Sequence, residues 1–133
     1  LVTQYIKEYS GRLSAMCGCG VAAGTGMACG LCMLRGGSLS QISMTLRNMA
    51  LSITGMICDG GNHGCALKAV AATDAAFRAC ELALCDVSPS AQHGIAGRTP
   101  EETMRDIGYI SSPGMQETER AIVEIFAKKS GRR

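Results

Sequence analysis

The stretch from Leu13 to Leu34 contains no charged residue, and most of its 22 positions are Gly, Ala, Ser, Thr or Cys. Its length would suffice to cross a membrane, but it has few of the Leu and Ile side chains that favour lipid. Gly20 and Gly24 have the small-xxx-small spacing that lets helices approach closely. Each interior glycine costs about 1 kcal/mol relative to alanine in a helix, and burial among other helices would offset that cost. The stretch therefore predicts a buried central helix, with a break near Cys17–Gly20, and no membrane span.

The remainder of the chain has the pattern of further helices. It is 47% hydrophobic but has only two Phe, three Tyr and no Trp, a composition typical of closely packed helices and not of a β-sandwich. Ser38 with Gln41, and Thr99 with Glu102, have the capping-box spacing that starts a helix. No alternating segment of useful length predicts a strand. We expect one all-α domain over residues 1–133, with about six helices around the Gly-rich central one.

Two helices have apolar residues that we expect to face the core. In the predicted helix Cys65–Cys85 these residues are Leu67, Val70, Ala71, Phe77, Cys80 and Leu84. In a last helix that begins at Ser112-Pro113 they are Met115, Ile122, Ile125 and Phe126.

The charge distribution argues against nucleic acid as a partner. The formal net charge is +2 and the basic residues are scattered, without the basic stripe and aromatics of a nucleic-acid surface. The short basic tail from Lys128 to Arg133 is typical of a solvated terminus. The chain has eight cysteines in a domain large enough to bury a core, which favours free or metal-bound thiols in a reducing cytoplasm over a disulfide scaffold.

Four of the cysteines lie in Gly-rich segments where a metal could be held. Cys17 and Cys19 precede the central helix, and Cys58 and Cys65 flank a loop, Asp59–Gly64, too rich in glycine for a helix or strand. Four thiolates could make a closed structural zinc site, and three could leave one position open for catalysis; spacing does not choose between these. The other four lie in apolar or helical segments and are expected to be structural: Cys29, Cys32, Cys80 and Cys85. Lys68, one turn past Cys65, either reaches water or meets a carboxylate.

Several motifs resemble one known family. These are Ser14–Cys19, Gly55–Lys68 with its Cys-Asp-Gly-Gly-Asn-His-Gly-Cys loop, Gly94–Thr103 and Ser112–Met115. Together they resemble the C-terminal part of the L-cysteine desulfidases, which are related to the α-chain domain of the iron–sulfur L-serine dehydratases. The seven-residue spacing of the cysteines, with Gly60 after Asp59, is closer to the desulfidase branch.

The resemblance implies a [4Fe–4S] cluster held by three cysteines, with one iron open to a small amino-acid substrate. The implied ligands are Cys19, Cys58 and Cys65, with Cys17 as the alternative first ligand; Asp59 and Asn62 are candidate substrate-binding groups. The implied reaction is elimination from L-cysteine or L-serine: a base removes the α-proton, sulfide or water leaves, and the enamine hydrolyses to pyruvate and ammonia. The ligands alone do not specify which of the two is the substrate.

In the resembled enzymes the base lies in an N-terminal portion that has no counterpart here. We therefore expect this chain to be a C-terminal fragment of a longer protein, inactive alone, that needs the missing portion as its partner; a homo-oligomer is compatible with this. The catalytic base itself is not identified. Two other functions remain open, a structural zinc module and a non-catalytic helical interaction domain.

Overall fold

The structure is a computed structural model that describes residues 1–131, and within them it contains six α-helices. The helices are α1 (Val2–Ser10), α2 (Gly24–Leu34), α3 (Leu39–Ile53), α4 (Gly64–Leu84), α5 (Pro100–Ser111) and α6 (Gln116–Ser130). A π-helical segment, Gly18–Ala23, leads directly into α2. The all-α prediction is confirmed. The end of the basic tail, Arg132 and Arg133, lies outside the described residues.

Both predicted capping boxes are present. The Gln41 amide donates to Ser38 Oγ over 3.2 Å at the start of α3. The Glu102 amide donates to Thr99 Oγ1 over 3.1 Å at the start of α5. In each box the side chain of the residue three positions later accepts a hydrogen bond from the backbone amide of the capping residue. Local sequence alone therefore determines where these helices begin.

The Gly-rich stretch forms the centre of the bundle, as predicted. Val21, Thr25, Ala28 and Cys32 are fully buried, and α2 packs against both α3 and α4. Within the stretch, helical structure begins only at Gly18, with the π-helical segment, since residues 13–17 are not helical. No helix among residues 1–131 combines the length and the apolar character that a membrane crossing needs.

The buried face of α4 differs from the predicted one. Leu67, Val70 and Phe77 are 74%, 60% and 49% exposed. The buried residues of α4 are small ones: Ala72, Ala76, Ala79, Cys80 and Ala83. A methyl group added at Gly24 of α2 would lie 3.2 Å from the methyl of Ala72. The two helices approach so closely that only small side chains fit between them, which leaves the large ones facing outward.

The prediction that α6 packs into the core is also wrong. Ile125 and Phe126 are 49% and 40% exposed, and no residue of α6 is buried. Met115 and Ile122 are partly covered. The ring of Phe126 lies over the cysteine loop, 3.7 Å from where a methyl group on Gly60 would be. The apolar residues of α6 thus have helical spacing, but the helix does not pack against a large part of the core.

Candidate metal centre

A short backbone bridge joins the two cysteine-bearing segments. Met16 pairs with Ile57 in an isolated antiparallel bridge. The Cys17 amide donates to the Met56 carbonyl over 2.8 Å, and the Cys58 amide donates to the Ala15 carbonyl over 2.6 Å. The bridge brings the start of the Gly-rich stretch next to the Cys58–Cys65 loop. Residues some 40 positions apart in sequence are thereby fixed side by side.

The π-helical segment sets the surroundings of Cys17 and Cys19. The Gly24 amide reaches back five residues to the Cys19 carbonyl, which is the π-helical pattern. Cys17 is 3% exposed, and its Sγ accepts a bond from the Gly20 amide over 3.3 Å. The Cys19 side chain is exposed at the edge of a groove between α2 and α4. π-Turns occur frequently at functional sites.

The loop from Cys58 to Cys65 is held by its own polar groups. Gly60 has a φ of +92°, a conformation that an L side chain rarely adopts. Asn62 Oδ1 accepts from the Gly64 amide over 2.7 Å, at the start of α4. Asn62 Nδ2 donates to the carbonyls of Asp59 and Gly60 over 3.4 and 3.3 Å. The Cys65 thiol donates to the Gly60 carbonyl over 3.2 Å.

Asp59 and Lys68 form an ion pair across this loop. The Lys68 ammonium donates to Asp59 Oδ1, and the side chains are 18% and 46% exposed. The hydrogen bond from Lys68 holds the pKa of the Asp59 carboxyl below its usual range, and Lys129 of α6 contributes by its charge. The bond to Asp59 raises the pKa of Lys68, and the negative charge that Cys17 and Cys65 can carry adds to that effect. The ammonium therefore links the residue that follows Cys58 to α4, three residues past Cys65.

The predicted ligands lie at one end of the bundle. All four candidate thiols are free, with Cys58 and Cys65 partly exposed. Thiolate is the usual ligand of iron–sulfur clusters, so the donor set present here fits such a cluster. Among the described residues, no three His, Cys, Asp or Glu side chains are grouped so as to hold a single metal ion. The assignment of Cys19, Cys58 and Cys65 as ligands stays a prediction, as does substrate binding by Asp59 and Asn62.

The remaining cysteines have the environments expected of structural residues, with one exception. Cys29, Cys32 and Cys80 are buried. Burial raises the pKa of the Cys29 thiol to about 12, with smaller contributions from Cys32 and Cys80. Cys85, at the far end of α4, is exposed. Of the two roles open to Lys68 from the sequence, it takes the pairing with a carboxylate, that of Asp59; its position one turn past Cys65 was the available signal.

These features define an all-α domain in which a thiol-bearing loop is tied to a π-helical segment. The family model for the serine dehydratase alpha chain matches residues 1–124. The chain belongs to the serine dehydratase alpha chain family.

Curated relatives resemble the chain along nearly all of its length. A UPF0597 protein of Clostridium botulinum (strain Hall) is 49% identical over 130 residues, which are 98% of this chain and 30% of that protein. UPF0597 proteins of Caldanaerobacter subterraneus subsp. tengcongensis and Elusimicrobium minutum are 44% and 40% identical over 129 residues, which are 97% of this chain and 30% of each protein. The chain thus spans about 30% of the length of these relatives. No solved structure matches it.

Proposed function

We propose that the chain is the cluster-binding part of an iron–sulfur-dependent amino-acid lyase that converts L-cysteine or L-serine to pyruvate and ammonia. Membership of the serine dehydratase alpha chain family supports a lyase of this kind. The observation that carries the proposal is the Met16–Ile57 bridge, because it brings the Cys17–Cys19 segment to the Cys58–Cys65 loop. We expect the protein in a reducing cytoplasm, where such thiols stay free to bind a cluster.

We propose Cys19, Cys58 and Cys65 as the three ligands. The exposed Cys19 lines the groove beside Ala69 and Ala72 of α4, one to two turns past Cys65. Cys58 follows the bridge directly, and Cys65 lies in the first turn of α4. Cys17 is buried, and its Sγ already accepts a hydrogen bond from an amide. For these two reasons we keep Cys17 as the alternative first ligand.

When bound, such a cluster would supply Lewis-acid polarisation of the leaving thiol or hydroxyl. The chain's own residues would shape and charge the surrounding site. Residues 61–63, Cys65 and Ala66 line an open depression of about 700 Å³ beside the start of α4. The positive end of the α4 dipole favours an anionic group, and we propose that the substrate carboxylate lies in this depression. Both polar groups of the Asn62 side chain are engaged within the loop, so its role would be to hold the loop in shape.

We propose that the catalytic base comes from the part of the longer relatives that this chain does not span. The relatives are about three times as long as the matched region. Leu67, Val70 and Phe77, on the outward face of α4, are exposed large apolar residues. Such a face is typical of a protein interface, and we propose it as the surface that this part covers. The chain alone should then bind a cluster but form no pyruvate.

The test is the iron and sulfide content of anaerobically purified protein, for wild type and for single Cys→Ser variants. We expect Cys58→Ser and Cys65→Ser to lose most of the iron and the visible charge-transfer absorption. Cys19→Ser should do the same, and Cys17→Ser should retain the cluster. The reverse result for these last two variants would make Cys17 the first ligand.

Cys85→Ser is the matched control. Cys85 is an exposed thiol on the same helix as Cys65, and it lies about 30 Å along the helix axis, given 1.5 Å per residue. Its substitution should leave iron and sulfide unchanged. Stoichiometric zinc without sulfide would refute the proposal in favour of a structural zinc module. Absence of any bound metal, with full activity of Cys58→Ser in the full-length protein, would favour an interaction domain. Pyruvate assays of the full-length protein with cysteine and with serine would identify the substrate.

A further inference from the structure

We propose that Lys68 is a positioning residue for the cysteine loop: its pairing with Asp59 sets the separation between Cys58 and Cys65 before any metal arrives. The inference rests on the proposed function only in taking these two thiols as ligands. The arrangement of the loop itself can be tested on metal-free protein.

The ion pair spans the two segments that carry the thiols. Asp59 directly follows Cys58, and Lys68 lies three residues after Cys65, on the same side of α4. The other side-chain hydrogen bonds described for the loop stay within residues 59–65. Of these side-chain hydrogen bonds, the one from Lys68 is therefore the one that joins the loop to α4 beyond its first two residues.

The loop needs such a link because its backbone is permissive. Gly60 and Gly61 are adjacent, and glycine backbones populate many conformations in the absence of outside constraints. The bridge at Ile57 fixes one end of the loop, and the α4 helix fixes the other. Between them, the Asn62 side chain binds groups within the loop and at the start of α4, and the Asp59 carboxylate is held by Lys68, further along α4.

The positive charge of Lys68 is a second way in which the Lys68–Asp59 pair would hold the loop. The ammonium donates to the Asp59 carboxylate, one residue past Cys58, from a position three residues past Cys65. Cysteine thiols become negative when they bind a metal. Without the Lys68 ammonium, the Asp59 carboxylate would repel these thiolates, and the loop would move outward. At 18% exposure, the Lys68 side chain is less screened than the Arg120–Glu117 pair of α6, whose side chains are 68% and 79% exposed.

The experiment compares Lys68→Met, which keeps the length without the charge, with Lys68→Arg, Asp59→Asn and the control Arg120→Gln. The first readout is amide hydrogen exchange of residues 58–64 in metal-free protein. We expect about 1.5- to 5-fold faster exchange in Lys68→Met, the range that partly exposed ion pairs give. Asp59→Asn should show the same increase. Lys68→Arg and Arg120→Gln should exchange at the wild-type rate.

The second readout is iron bound per chain after anaerobic reconstitution with ferrous iron and sulfide. Lys68→Met should bind clearly less than wild type, and Lys68→Arg should restore binding. Unchanged loop exchange in both Lys68→Met and Asp59→Asn would overturn the inference, as would full iron loading of Lys68→Met. If wild type itself takes up no iron and sulfide, the proposed function fails, while the exchange measurement still decides whether Lys68 holds the loop.

Discussion

Gly108 and Gly30 provide a matched pair of substitutions that tests the packing of the bundle. Both lie inside helices, Gly108 in α5 and Gly30 in α2. A Cβ at Gly108 would lie 2.3 Å from the Cβ of Tyr9 and 3.2 Å from its Cα, whereas a Cβ at Gly30 meets no atom within 4 Å. Alanine at Gly108 must therefore push α1 away from α5, because the contact includes backbone.

The size of the effect follows from two terms. Replacing glycine by alanine within a helix stabilises by about 1 kcal/mol, and this term applies at both sites. Overpacking costs about 1–3 kcal/mol, and it applies only at Gly108. We expect Gly30→Ala to stabilise by about 1 kcal/mol, and Gly108→Ala to be less stable than Gly30→Ala by about 1–3 kcal/mol once the shared term cancels.

The assay is urea denaturation followed by circular dichroism, with the free energy of unfolding taken from the midpoint and slope. Two variants of equal stability would refute the described approach of α1 to α5. A Gly108→Ala variant that is more stable than wild type, with an unchanged urea slope, would refute that approach more strongly. A second readout is the exchange of the Ala22 region, because Thr3 of α1 donates to the Ala22 carbonyl over 3.2 Å. Displacement of α1 should increase exchange there in Gly108→Ala and not in Gly30→Ala.

Three further predictions concern the core, the loop and a buried thiol. Ile107→Ala, at a side chain that is 0% exposed, should lower the free energy of unfolding by about 2–5 kcal/mol, whereas Val123→Ala, at 59% exposure, should change it by less than about 0.5 kcal/mol; equal losses in urea denaturation would contradict the burial of α5 and the exposure of α6. Asn62→Ala removes the side-chain acceptor at the start of α4 and should cost about 1 kcal/mol; Asn62→Asp keeps that acceptor but loses the two bonds that Nδ2 donates to the Asp59 and Gly60 carbonyls, so it should recover only part of the loss in thermal unfolding. With its pKa raised to about 12, Cys29 should resist iodoacetamide in the folded state at pH 8 while Cys85 reacts, as mass spectrometry can show. Because the pKa of Cys29 is raised on folding, its contribution to stability is full below the unfolded thiol pKa and is lost as pH rises toward 12; a Cys29→Ala variant should lack that part of the alkaline loss.

Helix starts and the central position of the Gly-rich stretch could be predicted because their causes are local. The capping boxes at Ser38 and Thr99 need only residues three positions apart. A stretch of 22 uncharged residues rich in glycine has no favourable place on a solvated surface, so its burial followed from composition. The cysteine pairs that could hold a metal were also visible, since thiols in Gly-rich segments stand out from those in apolar helices.

The sequence by itself determined that the chain is helical, which stretch lies at its centre and which thiols are candidates for a metal. Only the tertiary structure decided which side of α4 is buried: the close approach at Gly24 leaves room for the methyl group of Ala72, and Leu67 lies on the outward face. It also decided that the Cys17–Cys19 segment adjoins the Cys58–Cys65 loop and that Lys68 meets Asp59. A contact between segments about 40 residues apart in sequence depends on how the helices pack. The periodicity of a helix shows which of its faces is apolar, but it does not show which other element that face will contact.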